Sequence, residues 1–383
     1  MYFYNQKPIR LIELFAGIGS QAKALKNLGI DFEHWYVCEF DKYAIQSYNA
    51  VHSTNFTTSD VTKITANDLN VTDTEHFTYL LTYSFPCQDL SNAGKGRGME
   101  KGSGTRSGLL WEVERLLNEC TELPQVLLME NVPQVHSIKN KEHFDQWIEF
   151  LKSKGYSNYW QDLNAKDYGI PQSRNRCYMV SIRGEYSYEF PQPIPLDFRL
   201  RDMLEQKVDE KYYLSDEAIT GRTNSNFRQY NLERSLINDK DIHPTILARY
   251  DGSPTLLKED DATHEPKIIR EEPLEREGWH NHAKEVLSTD GLCRTLCAQS
   301  NNTLTKIKEP RSLRIRKLTP KECWRLMGFD DEDVERAAAV CSNSQLYKQA
   351  GNSIVVDVLV AIFRELFVPK KTRSQWLDDL LNN

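Results

Sequence analysis

The chain has 383 residues, of which 39% are hydrophobic and 27% are charged, and its net charge is −7 at neutral pH. This composition is typical of a folded globular protein and excludes a disordered chain. No apolar run approaches the roughly 20 residues that span a bilayer, and the first ten residues lack the apolar core of a signal peptide. We therefore expect a cytoplasmic protein without a membrane partner.

Eight cysteines are present, and in a chain of this length without a secretion signal we expect reduced thiols rather than disulfides. One group of residues has side chains that bind zinc in other proteins: His280, His282, Cys293 and Cys297. Its spacing is not common in structural zinc sites, and the sequence contains no C-x-x-C pair. We therefore predict no bound metal.

The first 190 residues alternate short apolar runs with amphipathic stretches, which predicts an α/β fold. A helix is predicted over residues 21–28, ended by Gly29. Strands are predicted over residues 9–15, 35–38, 78–84, 126–129 and 177–182.

Regular structure stops near Phe190, where three prolines fall within five residues, and the chain then stays polar to about residue 311. It returns at Thr319, where a capping box with Glu322 predicts a helix that ends at Gly328. A last apolar segment covers residues 353–367.

These changes along the chain predict three segments. Residues 1–190 form a catalytic and cofactor-binding α/β domain, and residues 191–315 form a smaller, irregular domain. Residues 316–383 form a C-terminal segment that completes the first domain.

A glycine-rich turn follows the first predicted strand. Gly17, Gly19 and Ala22 have the spacing of the dinucleotide fingerprint, in which small residues let a ligand approach the backbone at a helix N-terminus. Glu39 follows about 20 residues later, where a carboxylate accepts hydrogen bonds from ribose hydroxyls. The pattern predicts a nucleoside-containing cofactor, but it does not separate NAD from S-adenosylmethionine. A tight turn without a ligand is the alternative.

Two neighbouring residues fit the same cofactor. Phe40 offers a flat face for an adenine ring, and Asp60 offers an acceptor for an exocyclic amine. A core position for Phe40 and a helix cap at Asp60 are equally consistent with the sequence.

Cys87 follows Pro86 beyond the carboxyl end of a predicted strand, the usual place for chemistry in an open α/β sheet. A nucleophilic cysteine must be a thiolate, which needs an electropositive and partly exposed setting. Residues 94–108 contain six glycines, and their basic residues outnumber their acidic ones. This composition predicts a mobile basic loop that closes over a polyanion. A buried structural cysteine beside an ordinary surface loop is the alternative.

Two further segments carry candidate site residues. Glu130 comes straight after a buried strand, which makes it a candidate proton donor, although acidic residues are also common near helix N-termini. Arg174 and Arg176 are separated by one residue and lead into a predicted strand. Alternate residues of a strand share a face, so the two guanidinium groups would point the same way and suit a phosphate or a base carbonyl.

The segment from Lys306 to Arg325 contains eight basic and two acidic residues. A local patch of this kind binds phosphate even in an acidic chain. A solvated charged face is equally consistent with the sequence.

Taken in order, these segments resemble the DNA cytosine-5 methyltransferase family, of the bacterial or phage restriction-modification type. The motifs that carry the resemblance lie at residues 13–19 (ELFAGIG), 39–41 (EFD), 60, 85–88 (FPCQ), 130–132 (ENV), 172–176 (QSRNR), 316–322 (RKLTPKE), 327–329 (MGF) and 350–353 (AGNS).

The resemblance implies a Rossmann-like, S-adenosylmethionine-dependent methyltransferase fold with a mixed, mostly parallel sheet, helices on both faces and a smaller target-recognition domain. It implies double-stranded DNA as the partner and a monomeric enzyme, with a restriction endonuclease as a functional companion. The implied catalytic residues are Cys87, which attacks carbon 6 of a flipped-out cytosine, Glu130, which hydrogen-bonds the base, and Arg174 and Arg176, which hold it.

The resemblance also assigns binding roles to residues outside the catalytic group. Cofactor contacts are implied at Phe15, Gly17, Gly19, Glu39, Phe40, Asp60, Pro86, Asn352 and Ser353. DNA contacts are implied at Gln88, Ser91, Lys95, Arg97, Arg106, Arg294 and Thr295.

Three alternatives stay open from the sequence. An NAD-dependent oxidoreductase accounts for Gly17, Gly19 and Glu39 but leaves the other motifs unexplained. An RNA cytosine-5 methyltransferase would use the same cysteine chemistry. A DNA-binding protein without catalysis is the third, against which the intact Cys87, Glu130 and Arg176 argue.

Overall fold

The computed structural model describes residues 7–87, 89–90, 98–213 and 315–369, and the backbone of residues 286–288, 293–294 and 306–308. Its strands in the first part of the chain are β1 (Ile9–Leu14), β2 (Phe32–Cys38), β3 (Thr78–Tyr83), β4 (Val126–Asn131), β5 (Tyr156–Asn164), β6 (Gln172–Ser173) and β7 (Asn175–Arg183). All of them except β6 form one sheet with the order β2-β1-β3-β4-β7-β5.

The sheet is mixed and mostly parallel, as predicted. Strands β1 to β4 are parallel to one another, and β7 runs antiparallel to both β4 and β5. The carboxyl ends of β1 to β4 therefore meet the first residues of β7 at one edge of the sheet. This edge is where open α/β folds bind their ligands.

Helices cover both faces of the sheet, because its strands are apolar on both sides. The helices are α1 (Ser20–Asn27), α2 (Lys42–His52), α3 (Ala66–Leu69), α4 (Leu110–Glu119), α5 (Lys141–Ser153), α6 (Pro320–Arg325), α7 (Asp331–Ala338), α8 (Asn343–Asn352) and α9 (Val356–Phe367). In β4, Val126 and Leu128 pack into the core cluster that contains α1 and α9, while Leu127 and Met129 pack into the cluster that contains α4 and α5.

The last helix returns to the first. The buried residues Leu359, Ile362, Phe363 and Leu366 form one apolar stripe of α9, which packs against α1. The domain boundaries stay a prediction, since most of residues 214–314 lie outside the described part of the chain.

Most predicted element boundaries agree with the structure to within a few residues. Strand β1 ends at Leu14 instead of residue 15, because Phe15 has a positive φ of 58° that no strand residue adopts. The predicted capping box is confirmed: Thr319 and Glu322 exchange side-chain to backbone hydrogen bonds at the start of α6. Gly328, with φ 81°, follows the end of this helix as expected.

Four short strands belong to the later part of the chain. The strands β8 (Val286–Ser288), β10 (Lys306–Lys308) and β11 (Ile315–Lys317) form a three-stranded sheet. Strand β9 (Cys293–Arg294) pairs with β6, so that Ser173 is the partner of Arg294. This pairing joins the predicted recognition segment to the arginine motif.

The basic segment 306–325 is partly neutralised inside the protein. Arg316 is fully buried, and its two Nη atoms each donate to a Glu322 carboxylate oxygen at 2.8 Å. Arg325 pairs with Asp331 at 2.7 Å. For these cations the phosphate-binding interpretation is not supported, because their charge is already matched by acidic side chains.

Arg316→Met should lower the free energy of unfolding by about 3–5 kcal/mol, because it leaves the buried Glu322 carboxylate without its counterion. The matched control is Lys152→Met, which breaks the exposed ion pair with Glu149 and should change it by less than about 1 kcal/mol. Urea denaturation of both variants checks the difference. Equal midpoints would show that the buried pair contributes no more than a surface pair.

Within the described residues, no helix has both the length and the apolar character needed to cross a membrane.

The cysteines whose side chains are described are all free thiols, as expected: Cys38, Cys87, Cys120, Cys177, Cys323 and Cys341.

Candidate active site

The glycine loop after β1 contains three residues with positive φ: Phe15 at 58°, Gly17 at 58° and Gly19 at 81°. A non-glycine residue in this region stores strain, which is typical of ligand-binding segments. The two glycines are needed for different reasons. A Cβ on Gly19 would lie 2.2 Å from His52 Nε2, whereas a Cβ on Gly17 would meet none of the described residues within 4 Å. Among these residues, open space therefore lies in front of Gly17, where a ligand can approach the backbone.

Glu39 holds this loop from the end of β2. Its carboxylate accepts from the Gly17 N–H at 2.9 Å and from the Asp41 N–H at 2.7 Å. Burial raises its pKa, and the two backbone donors oppose the rise. The ribose contact predicted for Glu39 stays a prediction, while its contact with the glycine loop is a role that the sequence did not indicate.

Phe40 and Asp60 flank Glu39. The Phe40 side chain is 78% exposed, so a core role is excluded and its face is free to stack on a ring. Asp60 accepts from the N–H and O–H of Thr62, at 3.0 and 2.8 Å, and so caps a turn. The Ser59 N–H donates to the Glu39 carbonyl at 2.9 Å, which places Asp60 beside Glu39.

The segment with Cys87 is held by two buried polar residues. Asn131 Nδ2 donates to the Phe85 carbonyl at 2.9 Å, and Ser107 Oγ donates to the Pro86 carbonyl at 2.7 Å. Asn131 and Ser107 are therefore positioning residues that the sequence reasoning missed. Asn131 was detectable as the neighbour of Glu130 in its motif, but nothing in the sequence singles out Ser107.

Cys87 itself is half-buried. Burial raises the pKa of its thiol, and the nearby Glu130 carboxylate raises it further, while Arg176 and Arg174 oppose the rise. Within the described residues the surroundings therefore favour the neutral thiol. The predicted electropositive setting stays a prediction, because Lys95 and Arg97 lie outside the described residues.

Glu130 is the fifth residue of β4 and is 8% exposed, so the helix N-terminus interpretation is wrong. One of its oxygens lies 3.2 Å from Arg176 Nε. Burial raises the pKa of Glu130, and the charges of Arg176 and Arg174 oppose the rise. A buried carboxyl with a raised pKa retains its proton closer to neutral pH, as a proton donor requires.

The two arginines have different hydrogen-bond partners, although the charges of both act on Cys87 and Glu130. Arg176 faces Glu130, whereas the buried Arg174 donates from Nη2 to the carbonyls of Gly351 and Ser353, at 3.1 and 2.9 Å. Arg174 therefore anchors the AGNS motif to the site. Within that motif Asn352 is exposed, and Ser353 is buried with its Oγ donating to the Ala350 carbonyl.

Few of the predicted DNA contacts fall on described side chains. Arg106 is exposed, and its backbone N–H donates to Asp89 Oδ2 at 2.9 Å. The backbone of Arg294 lies beside Ser173 in the β6–β9 pair. The remaining predicted DNA contacts lie outside the described residues: Gln88, Ser91, Lys95, Arg97 and Thr295.

One group of described residues has donor atoms close enough to share a metal: His136, Asp162 and Cys177, within 4.8 Å of one another. His136 Nε2 and Asp162 Oδ1 are hydrogen-bonded at 3.0 Å. Burial raises the pKa of the Cys177 thiol well above its usual value, and Asp162 adds to the rise. Hydrogen bonding accounts for this group, and we assign no metal to it.

The family model for the C-5 cytosine-specific DNA methylase matches residues 9–368. The chain belongs to this family. The resemblance in the order of the motifs is therefore confirmed, and the protein is a DNA cytosine methyltransferase rather than an NAD-dependent oxidoreductase.

Relatives of this methyltransferase match along almost their whole length. The type II methyltransferase M2.ScrFI of Lactococcus lactis subsp. cremoris is 29% identical over 94% of this chain and 99% of its own. The orphan methyltransferase M.SPBetaI of Bacillus phage SPbeta is 31% identical over 94% of this chain and 97% of its own. The solved structure of the Entamoeba histolytica methyltransferase EhMeth shares the fold, with a TM-score of 0.66, 16% identity and coverage of 98% and 99%.

Proposed function

We propose that this methyltransferase transfers a methyl group from S-adenosylmethionine to carbon 5 of a flipped-out cytosine, within one short sequence of double-stranded DNA, through a covalent adduct with Cys87. The observation that carries the proposal is the meeting of Cys87, Glu130 and Arg176 at the sheet edge that also carries the glycine loop.

The cofactor side of the site suits S-adenosylmethionine. Open space lies in front of the Gly17 backbone, and the exposed Phe40 ring offers a face to an adenine. Glu39 and Asp60 lie beside them with carboxylate acceptors. When bound, the cofactor supplies an activated methyl group. We assign its remaining contacts to Phe15, Gly19, Pro86, Asn352 and Ser353.

The chemistry on the base follows from two side chains. An aromatic carbon is a poor nucleophile, and a covalent bond at the neighbouring carbon turns it into an enamine-like one. Cys87 gives up its proton to solvent and its sulfur attacks carbon 6, while Glu130 delivers a proton to ring nitrogen 3. The electron pair of the 5,6 double bond then becomes available at carbon 5. After methylation, solvent takes the proton from carbon 5, the 5,6 double bond re-forms with expulsion of the Cys87 sulfur, and ring nitrogen 3 returns its proton to Glu130.

The DNA side of the site rests on two arguments. Carbon 6 is inaccessible inside a duplex, so the cytosine must leave the stack. The recognition segment 191–315 joins the arginine motif through the β6–β9 pair, which brings Arg294 next to Ser173. An arginine at this place suits a guanine in the major groove, the commonest specific contact to a base.

The relatives bear on partners. M2.ScrFI is named a type II methyltransferase and M.SPBetaI an orphan methyltransferase. For this chain we propose a companion endonuclease, a monomeric state and a cytoplasmic location.

The test is a map of 5-methylcytosine, at single-base resolution, in DNA and RNA from a methylation-free bacterial strain that expresses the chain. We expect methylation at one short DNA sequence, and none in the same strain expressing Cys87→Ala. Methylation confined to RNA would favour the RNA methyltransferase instead. An unmethylated genome with folded protein present would contradict the proposal.

A further inference from the structure

The helix that follows the glycine loop begins without a side-chain cap. Its N-cap is Gly19, and its first turn contains no acidic residue. The first-turn residues Ser20, Gln21 and Ala22 are buried. Their backbone N–H groups have no partner within the helix and are shielded from water, so they need a partner from elsewhere in the chain.

Glu13 of β1 lies at this helix end and is fully buried. Its Oε2 accepts from the Tyr48 O–H at 2.5 Å. Its other oxygen, Oε1, is buried without a hydrogen-bond partner among the described residues, and the Ala22 N–H nearby opposes the effect of burial on the Glu13 pKa. A carboxylate here places negative charge at the N-terminus of α1, where the helix dipole favours it.

Tyr48 extends this contact to β2 and α2. Its oxygen lies 2.7 Å from His34 Nδ1, and because Tyr48 gives its own proton to Glu13, His34 must be the donor. The Tyr48 ring packs on His52, with ring centroids 4.7 Å apart. We call Glu13, His34, Tyr48 and His52 the Glu13 cluster.

The Glu13 cluster supports both segments that are assigned to the cofactor. His52 Nε2 donates to the carbonyl of Ile18, inside the glycine loop, at 3.1 Å. The rings of Tyr48 and His52 fill the space directly against Gly19. Helix α2, which carries both rings, begins immediately after the 39–41 motif.

We propose that Glu13 is a positioning residue for the cofactor site. Its ionised carboxylate holds Tyr48 and the start of α1, and thereby fixes the glycine loop and the 39–41 motif in the geometry that binds S-adenosylmethionine. The inference rests on the proposed cofactor, but it assigns to Glu13 a role in affinity and none in the chemical step.

The titration of Glu13 makes this role measurable as a pH dependence of cofactor binding. Burial raises its pKa from 4.5 to about 7, against the effects of Tyr48 and Ala22. Burial lowers the pKa of His34 to about 4 and that of His52 to about 3, and it raises that of Tyr48 well above 10. Glu13 is therefore the member of the cluster that changes charge near neutral pH.

The charged groups around the cluster belong to neighbouring elements. Lys23 and Lys26 of α1 act on His52, and Lys23 is paired with Asp330 and Asp333. Lys23 keeps its charge near neutral pH, because these two partners raise its pKa. Glu39 also has a raised pKa and lies in the cofactor site, so the test must separate its titration from that of Glu13.

The test compares the full chain with Glu13→Gln, which keeps the shape of the protonated acid. S-adenosylhomocysteine is the probe, and its dissociation constant is measured from about one pH unit below to one unit above neutral. The variant should bind about tenfold more weakly at the alkaline end, the equivalent of one pKa unit of coupling. The unaltered chain should lose affinity as the pH falls and approach the variant, whose affinity should not change with pH.

Thermal unfolding separates positioning from a structural role. Because the folded-state pKa of Glu13 is raised, its contribution to stability is complete below about pH 4.5 and is lost as the pH rises through about 7. Glu13→Gln should therefore unfold at a higher temperature than the unaltered chain at alkaline pH, although it binds the probe more weakly. The value of kcat at saturating S-adenosylmethionine should stay unchanged.

Two tyrosine variants complete the design. Tyr48→Phe should weaken binding as Glu13→Gln does. Tyr79→Phe is the matched control, since Tyr79 is also buried but bonds to Arg10 at the amino end of β3, and it should bind normally.

Three results would overturn the inference: unchanged binding by Glu13→Gln, a pH dependence that persists in that variant and so belongs to Glu39, or equal losses in both tyrosine variants. Failure of the unaltered chain to bind the probe would instead refute the cofactor assignment, and this inference with it.

Discussion

Replacement of Cys87 by alanine is expected to abolish methyl transfer while leaving S-adenosylhomocysteine binding unchanged. Without the sulfur no bond forms at carbon 6, and carbon 5 stays a poor nucleophile. Removing the nucleophile of a serine protease costs on the order of 10⁶-fold in kcat, so we expect turnover at background. The measurement is transfer of a labelled methyl group to DNA that contains the mapped target sequence.

The matched control is Cys120→Ala. Cys120 is also a half-buried free thiol but caps the end of α4, and its loss should leave the rate within about twofold, as for a substitution away from any special feature. A trapping experiment identifies the bond itself. With 5-fluorocytosine at the target the final loss of a proton is blocked, so the unaltered chain should stay attached to DNA through Cys87. Full activity of Cys87→Ala would refute the covalent mechanism.

Replacement of Glu130 by glutamine should slow methyl transfer by about 10²–10⁴-fold, the usual contribution of a positioned general acid. Glutamine keeps the shape of the side chain but carries no acidic proton for ring nitrogen 3. It also removes the negative charge that faces Arg176, whose Nε lies 3.2 Å from the carboxylate. Single-turnover rates and adduct formation with 5-fluorocytosine should fall together.

The pH dependence gives an independent check on Glu130. Burial raises its pKa, so the protonated form persists above the usual range for a carboxyl and is lost as the pH rises. The rate that depends on this proton should therefore decline with rising pH in the unaltered chain, and this decline should vanish in Glu130→Gln. The control is Glu149→Gln, a change on the exposed face of α5. A normal rate for Glu130→Gln would remove Glu130 from the chemistry.

The ends of the buried parallel strands could be predicted from the sequence, because such strands are short apolar runs. The runs predicted at residues 78–84 and 126–129 ended close to their observed limits, and this placed Cys87 and Glu130 at one sheet edge. Strand β5 was not predicted. Its sequence YSNYWQDLN is polar because it lies at the edge of the sheet, where much of it is partly exposed.

The sequence by itself determined the fold class and the family, and it predicted Cys87 as the nucleophile. These depend on residue types at short spacings, and local patterns record such spacings directly. The order of the motifs along the chain identified the family, since each motif alone has several explanations.

Only the tertiary structure decided what the polar side chains do. Arg174 binds carbonyls of the AGNS motif, Arg316 is buried against Glu322, and Glu13 lies beneath the glycine loop. A periodic pattern shows which residues are buried, but it does not show which partner each one meets. That partner is selected by packing between segments far apart in the chain, because a buried polar group is stable only where another part of the fold supplies its hydrogen bonds.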